Sequence, residues 1–375
     1  MVQREFLTLI VDFYSTKDMP RSLKRDFFRI FQNSLDNDVL IEGYSCRKFE
    51  ESFANYLGLD HVIGVGNGFD AIRIGLESLG IGQGDRVAVP AHTFIATWFA
   101  IMAVGATPVG IDVTIEGQIN LDLLEKESNL KAVIPVHMHG THCDMERLIH
   151  WARTNGVKVL EDCAQSAGLT IQGRKAGAWG DVAAYSFYPT KNLFALGDGG
   201  AIASNDPNIL EKARLLSRYG SDKDNKYLHK NLGQNSRLDT IQAGFLLHSL
   251  DYLDEWNQIR ADIAERYKHF LGELKIIPKL TYDSVYHHFL IMVEERDAKK
   301  LELSRRGIYT EIHYPIVAGI EAGGGTSENF RVSSMIAEST LSLPISPWQT
   351  SRQTDHVIKV LQKIMNRFDL NKVEK

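Results

Sequence analysis

Short apolar runs alternate with segments of helical period between residues 62 and 204, and this alternation limits the possible folds more than any other feature of the chain. Residues 62–65, 86–90, 107–111, 132–136, 157–160 and 182–187 read as strands. They are mostly apolar along their length, the pattern of strands covered on both faces. Residues 69–79, 93–104, 121–128 and 145–155, between them, read as helices. This alternation predicts an α/β fold: a large, mostly parallel sheet with helices on both sides.

The flanks extend the pattern. Leu23, Phe27, Phe28, Ile30 and Phe31 recur at helical spacing within 21–35, and 46–57 is a second helix, stopped by Gly58. One more apolar strand follows Gly200, then a helix over 207–219 and a polar, irregular stretch over 221–234. Residues 239–270 carry one long helical pattern that links two domains. From about 276 the chain turns to short elements (286–293, 298–306, 308–312) that predict a smaller α+β domain. The expected division is 1–250, an N-terminal arm and the large domain, and 251–375, the linking helix and the small C-terminal domain. Gly323-Gly324-Gly325, within 321–327, predicts a mobile loop.

Chemistry concentrates between residues 161 and 204. Asp162 follows the apolar run 157–160, Ser186 stands near the end of 182–187, and Lys191 sits in the turn Pro189-Thr190-Lys191-Asn192. Open α/β sheets bind ligands at the carboxyl ends of their strands. A carboxylate and an amine delivered there suit pyridoxal phosphate: the amine joins its aldehyde, and the carboxylate keeps the ring nitrogen protonated. Taken alone, Lys191 reads as a solvated surface lysine, and Asp162 is equally a helix cap. Gly66-Asn67-Gly68-Phe69-Asp70 lies between a strand and a helix, where free amides suit an anion, although it is not a dinucleotide fingerprint.

Four blocks in order carry a specific resemblance: Glu161-Asp162-Cys163-Ala164-Gln165, then Gly180 to Phe187, then Tyr188-Pro189-Thr190-Lys191-Asn192-Leu193, then Gly197-Asp198-Gly199-Gly200. They resemble the DegT/DnrJ/EryC1/StrS family of pyridoxal-phosphate-dependent sugar-nucleotide aminotransferases, and the likeness covers most of the chain. The resemblance implies an aspartate-aminotransferase-like architecture (fold type I) in which Lys191 is the catalytic amine. It implies that Asp162 meets the ring nitrogen, Gln165 the ring hydroxyl and Phe94 the ring face. Gly68, Phe69 and Ser186 would hold the phosphate, with Asn235 reaching it from a second subunit, so that a homodimer shares its active sites. Tyr188, His313 and Tyr314 would line the sugar side, where packing of the small domain is the alternative. The stretch 317–321 departs from the family, which often has a histidine and aromatics there.

The implied reaction moves an amino group from L-glutamate to C-3 of a dTDP-linked 3-keto-6-deoxyhexose, for an O-antigen of lipopolysaccharide or another deoxyamino sugar. Relatives acting at C-4 more often carry Ser-Phe-His and a Gly-Glu-Gly-Gly turn. A dehydratase of this fold would have histidine in place of Lys191. A non-catalytic regulator would carry a basic face or a DNA-binding segment, and the formal charge of −5 with no long basic run shows neither. Zinc at His137, His139, His142, Cys143 and Asp144 is a lesser reading, since no second ligand pair matches. Three cysteines, no apolar run near the ~20 residues of a membrane span, and no signal-peptide pattern at the first residues predict a cytoplasmic protein.

Overall fold

The computed structural model describes residues 9–222, 225, 227–274, 278 and 280–365. The first residues and the point near 276 where the small domain was expected to begin lie outside them. Helices α1 (Arg21–Asn37) and α2 (Tyr44–Leu57) precede a sheet of β1 (His61–Val65), β2 (Arg86–Pro90), β3 (Thr107–Ile111), β4 (Ala132–Val133), β5 (Lys158–Asp162), β6 (Val182–Ser186) and β7 (Gly200–Ser204). Its order is β1-β7-β6-β5-β4-β2-β3. The strands run parallel except β7, which is antiparallel to both neighbours. This is the expected α/β sheet.

Helices α3 (Gly68–Ser78), α4 (Ile95–Ala103) and α5 (Met145–Thr154) connect strands, and α6 (Pro207–Leu216) follows β7. Alternate residues of each strand enter different cores. Val182 and Ala184 pack with Ile74 of α3 and Trp98 of α4, while Ala183 and Tyr185 pack with Phe53 of α2 and Leu148 of α5. Burial on both faces is what makes these strands apolar without a period of two.

The long pattern over 239–270 is two helices, α7 (Thr240–Leu250) and α8 (Leu253–Leu271). Asp254 and Glu255 occupy the first turn of α8, where acids favour the positive end of a helix. A third core joins Ile263 and Tyr267 of α8 to the antiparallel pair β8 (Phe289–Met292) and β9 (Thr340–Leu343). Around it stand α9 (Arg296–Arg305), α10 (Arg331–Ser339) and α11 (Ser351–Ile364). Val11 belongs to this core, bridged to Ile308, although it stands at the other end of the chain. The short element expected over 308–312 is two isolated bridges, Ile308 with Val11 and Glu311 with Ser342. The helix expected over 121–128 is a single turn, Leu121–Leu124.

The glycine run packs closely. A Cβ on Gly324 would lie 2.6 Å from Cζ3 of the buried Trp98, and one on Gly325 would lie 2.7 Å from Cε2 of Phe330. The glycines therefore admit two aromatic rings. Gly324→Val should destabilise the fold by about 1–3 kcal/mol, the usual cost of overpacking. An unchanged denaturant midpoint would show that this segment is as loose as its composition suggests.

Candidate active site

β5 and β6 are neighbours, with Asp162 opposite Ala184. Their carboxyl ends therefore bring Asp162 and Ser186 to one edge of the sheet. The turn after β6 closes with the Lys191 amide donating to the Tyr188 carbonyl at 2.8 Å. Lys191, Asp162 and Ser186 face a single cavity of about 470 Å3, and every predicted site residue except Asn235 lines it.

Asp162 is 3 % exposed. It accepts from the Thr97 hydroxyl at 2.9 Å and from the Ala164 amide at 3.1 Å. Burial pushes its carboxyl up, against the pull of those two donors and of the Lys191 charge. Burial draws the Lys191 amine down to about 8, with Asp162 opposing. Charge is thus disfavoured on both groups as they stand. A ligand that sets a cationic ring nitrogen beside Asp162 and a carbonyl beside Lys191 relieves both.

The opposite end suits an anion. At the start of α3 the Asn67 side chain accepts from the Asp70 amide at 2.8 Å, which leaves the Gly68 and Phe69 amides uncapped at the positive helix end. A Cβ on Gly68 would lie 2.7 Å from that of Ser186, so only glycine lets this turn approach the Ser186 hydroxyl. Phe94, at the N-cap of α4, is 52 % exposed, and its ring centroid is 5.3 Å from that of Tyr314. Gln165 is held at both ends: it accepts from the His139 amide at 2.6 Å and donates to the Tyr314 hydroxyl at 3.2 Å.

His313 stacks on His288 at 3.7 Å and shares a hydrogen bond with Ser342 at 2.8 Å. Burial, then the nearby Lys191 charge, draws the His313 imidazole down to about 3. His287 and His288 line the same cavity and are also held neutral by burial. They and Thr97 are not marked by the sequence, and Asp198 is marked there only as part of the Gly197-Asp198-Gly199-Gly200 turn, with no role of its own. The only hint was a pair of polar residues heading the apolar run of β8. Asn235 is exposed, bridged to Arg218, and outside the cavity.

The histidine–cysteine loop does not converge. His137 meets Glu161 at 3.0 Å, His139 meets His288 at 3.2 Å, His142 meets the Cys143 carbonyl at 2.6 Å, and Asp144 caps α5. His137, Glu161 and Cys163 do lie within 4.8 Å of one another. The Glu161 carboxylate, however, already accepts three amides, from Gly177, Trp179 and Gly180, at 2.7–2.8 Å. Among the described residues no helix is long and apolar enough to cross a membrane.

A profile of the DegT/DnrJ/EryC1/StrS aminotransferase family matches residues 21–362. The chain is 38 % identical over 371 residues to a dTDP-3-amino-3,4,6-trideoxy-alpha-D-glucose transaminase of Streptomyces venezuelae, covering 96 % of this chain and 97 % of that one. It is 37 % identical over 344 residues to a UDP-N-acetyl-3-dehydro-alpha-D-glucosamine 3-aminotransferase of Acidithiobacillus ferrooxidans, covering 88 % and 92 %. The solved structure of S. venezuelae DesV superposes with a TM-score of 0.91 at 37 % identity, covering 96 % of this chain and all of that one.

Lys191 must be neutral to attack a carbonyl, and its value near 8 lies below the usual lysine value. Capture of pyridoxal phosphate by cofactor-free protein should quicken about tenfold per pH unit up to about 8 and then level. Stopped-flow absorbance checks this; a rate still climbing at about pH 10 would mean a lysine of ordinary basicity.

Proposed function

The chain belongs to the DegT/DnrJ/EryC1/StrS aminotransferase family, and from that premise we propose that it moves an amino group from L-glutamate to C-3 of a dTDP-linked 3-keto-6-deoxyhexose. It is a sugar-nucleotide aminotransferase that works with pyridoxal 5′-phosphate. The observation that carries the reading is the meeting of Lys191 and Asp162 from adjacent strand ends in one cavity. Two relatives named for amination at a 3-position, one on a dTDP sugar and one on a UDP sugar, support the position more than the base. The Lys191 block and the Gly197-Asp198-Gly199-Gly200 turn favour C-3 over C-4.

When bound, pyridoxal phosphate supplies an electron-withdrawing ring that loosens the proton on the donor's α-carbon. Asp162 would keep positive charge at the ring nitrogen. The amides of Gly68 and Phe69, with the Ser186 hydroxyl, would hold the phosphate, and Phe94 would lie against the ring. Gln165, braced by Tyr314 and the His139 amide, faces the ring hydroxyl. The Lys191 Nζ would take the proton from the donor α-carbon and later return one to the sugar carbon. Tyr188, His313 and Tyr314 line the sugar side. The neutral imidazole of His313 does so without repelling Lys191.

The second subunit is part of the same proposal. Phe28 and Phe31 of α1, with Leu40, Ile41 and Leu196, are exposed along an apolar groove of about 940 Å3. An apolar surface of this kind suits an interface, and a second copy of this chain is its occupant. Asn235, exposed in one chain, would reach the partner's phosphate site. The product would supply a surface polysaccharide such as an O-antigen.

Lys191→Ala should abolish the loss of colour on adding glutamate, whereas a normal response would remove Lys191 from catalysis. NMR of the product should place the new amine at C-3, and an amine at C-4 would overturn the position. Lys191→Ala and Asn235→Ala chains, inactive or weak alone, should regain activity when refolded together, because one site of the mixed dimer is intact. Light scattering that finds a monomer, or no recovery on mixing, would contradict the shared site.

A further inference from the structure

A second cavity, of about 500 Å3, also reaches Lys191 and shares Tyr188, Thr190, His287, His288 and His313 with the first. Its wall includes Arg260 of α8, which is 6 % exposed. Among the described residues the Arg260 guanidinium makes one hydrogen bond, a long one of 3.4 Å from Nη1 to the Trp256 carbonyl. It forms no ion pair among them. Two acids share the cavity wall. Glu311 is held by Lys300 at 2.8 Å, and Asp12 forms no ion pair with Arg260. Burial draws the Arg260 guanidinium down to about 10, the reverse of what a bound carboxylate does, with the Tyr14 hydroxyl opposing.

A buried guanidinium without a carboxylate is costly, and proteins rarely keep one unless a ligand completes it. Its planar fork matches a carboxylate through two parallel hydrogen bonds. The Lys191 amine, where the donor's nitrogen must react, lines the same cavity. We propose that Arg260 is the docking residue for a carboxylate of the dicarboxylic amino donor, and that it sets the preference for an amino diacid over a neutral amino acid. This rests on the aminotransferase reading above. The same fork could hold the diphosphate of the sugar nucleotide, so the two half-reactions must be read separately. The donor is favoured because Arg260 is buried in the wall of a cavity that the reacting amine also lines, whereas a diphosphate leads on to a nucleoside that needs an open path.

The test follows the holoenzyme's absorbance in each half-reaction, for wild type, Arg260→Met and Arg260→Lys. In Arg260→Met, reaction with L-glutamate should slow at least about 30-fold, as when one partner of a buried charge pair is lost. Reaction of the pyridoxamine form with the keto sugar should stay within about threefold, and L-alanine should lose its disadvantage against glutamate. Arg260→Lys should recover part of the glutamate rate. The melting temperature of Arg260→Met should hold or rise, since an unpaired cation has been replaced by an apolar chain. Slowing confined to the sugar half-reaction would assign the arginine to the diphosphate and overturn the donor site. Unchanged rates in both, or loss of folding in both variants, would overturn it as well. A wild-type enzyme that keeps its colour in glutamate would overturn the aminotransferase reading and this inference with it.

Discussion

The site depends on the pairing of β5 with β6. Parallel neighbours end at the same edge of a sheet, so a carboxylate closing one and a lysine turn following the other arrive together without any long-range search. Both are then desolvated by the same cavity, and desolvation sets their chemistry. The acid becomes a poor anion in want of a cation, and the amine becomes a better nucleophile than an exposed lysine.

Two adjacent acids show how finely the strand period sorts function. Glu161 and Asp162 point to opposite faces of β5. Glu161 is fully buried and serves the scaffold. Its carboxylate gathers the amides of Gly177, Trp179 and Gly180 and so ties down the loop before β6. Asp162 keeps capacity for a ligand because, among the described residues, only Thr97 and Ala164 donate to its carboxylate. A one-residue slip of register would exchange these roles and leave the site without its acid.

Legibility in the sequence followed locality. The strands of the large sheet, the turn at Gly68 and the lysine block were readable because each is a contiguous pattern whose meaning needs no distant partner. His287 and His288 were not, since only packing against His139 and His313 gives those rings a place in the site. Arg260 carries no signal within the helical pattern over 239–270, because helical periodicity does not tell a buried guanidinium from a solvated one. The glycine run read as slack for a similar reason: its closeness to Trp98 and Phe330 depends on side chains that no local pattern connects to it. The short element over 308–312 forms no continuous strand because its two pairing residues face different partners, which no local propensity encodes.

The route of the chain near its beginning has a wider consequence. Val11 is anchored in the C-terminal core, Asp12, Phe13 and Tyr14 wall the cavity beyond Lys191, and α1 then starts at Arg21 with its exposed aromatic stripe. A few residues of backbone thus join the C-terminal core, the wall of the second cavity and the start of α1. A substitution within 11–14 therefore touches all three at once, although the rest of that core and of that wall lies far along the chain.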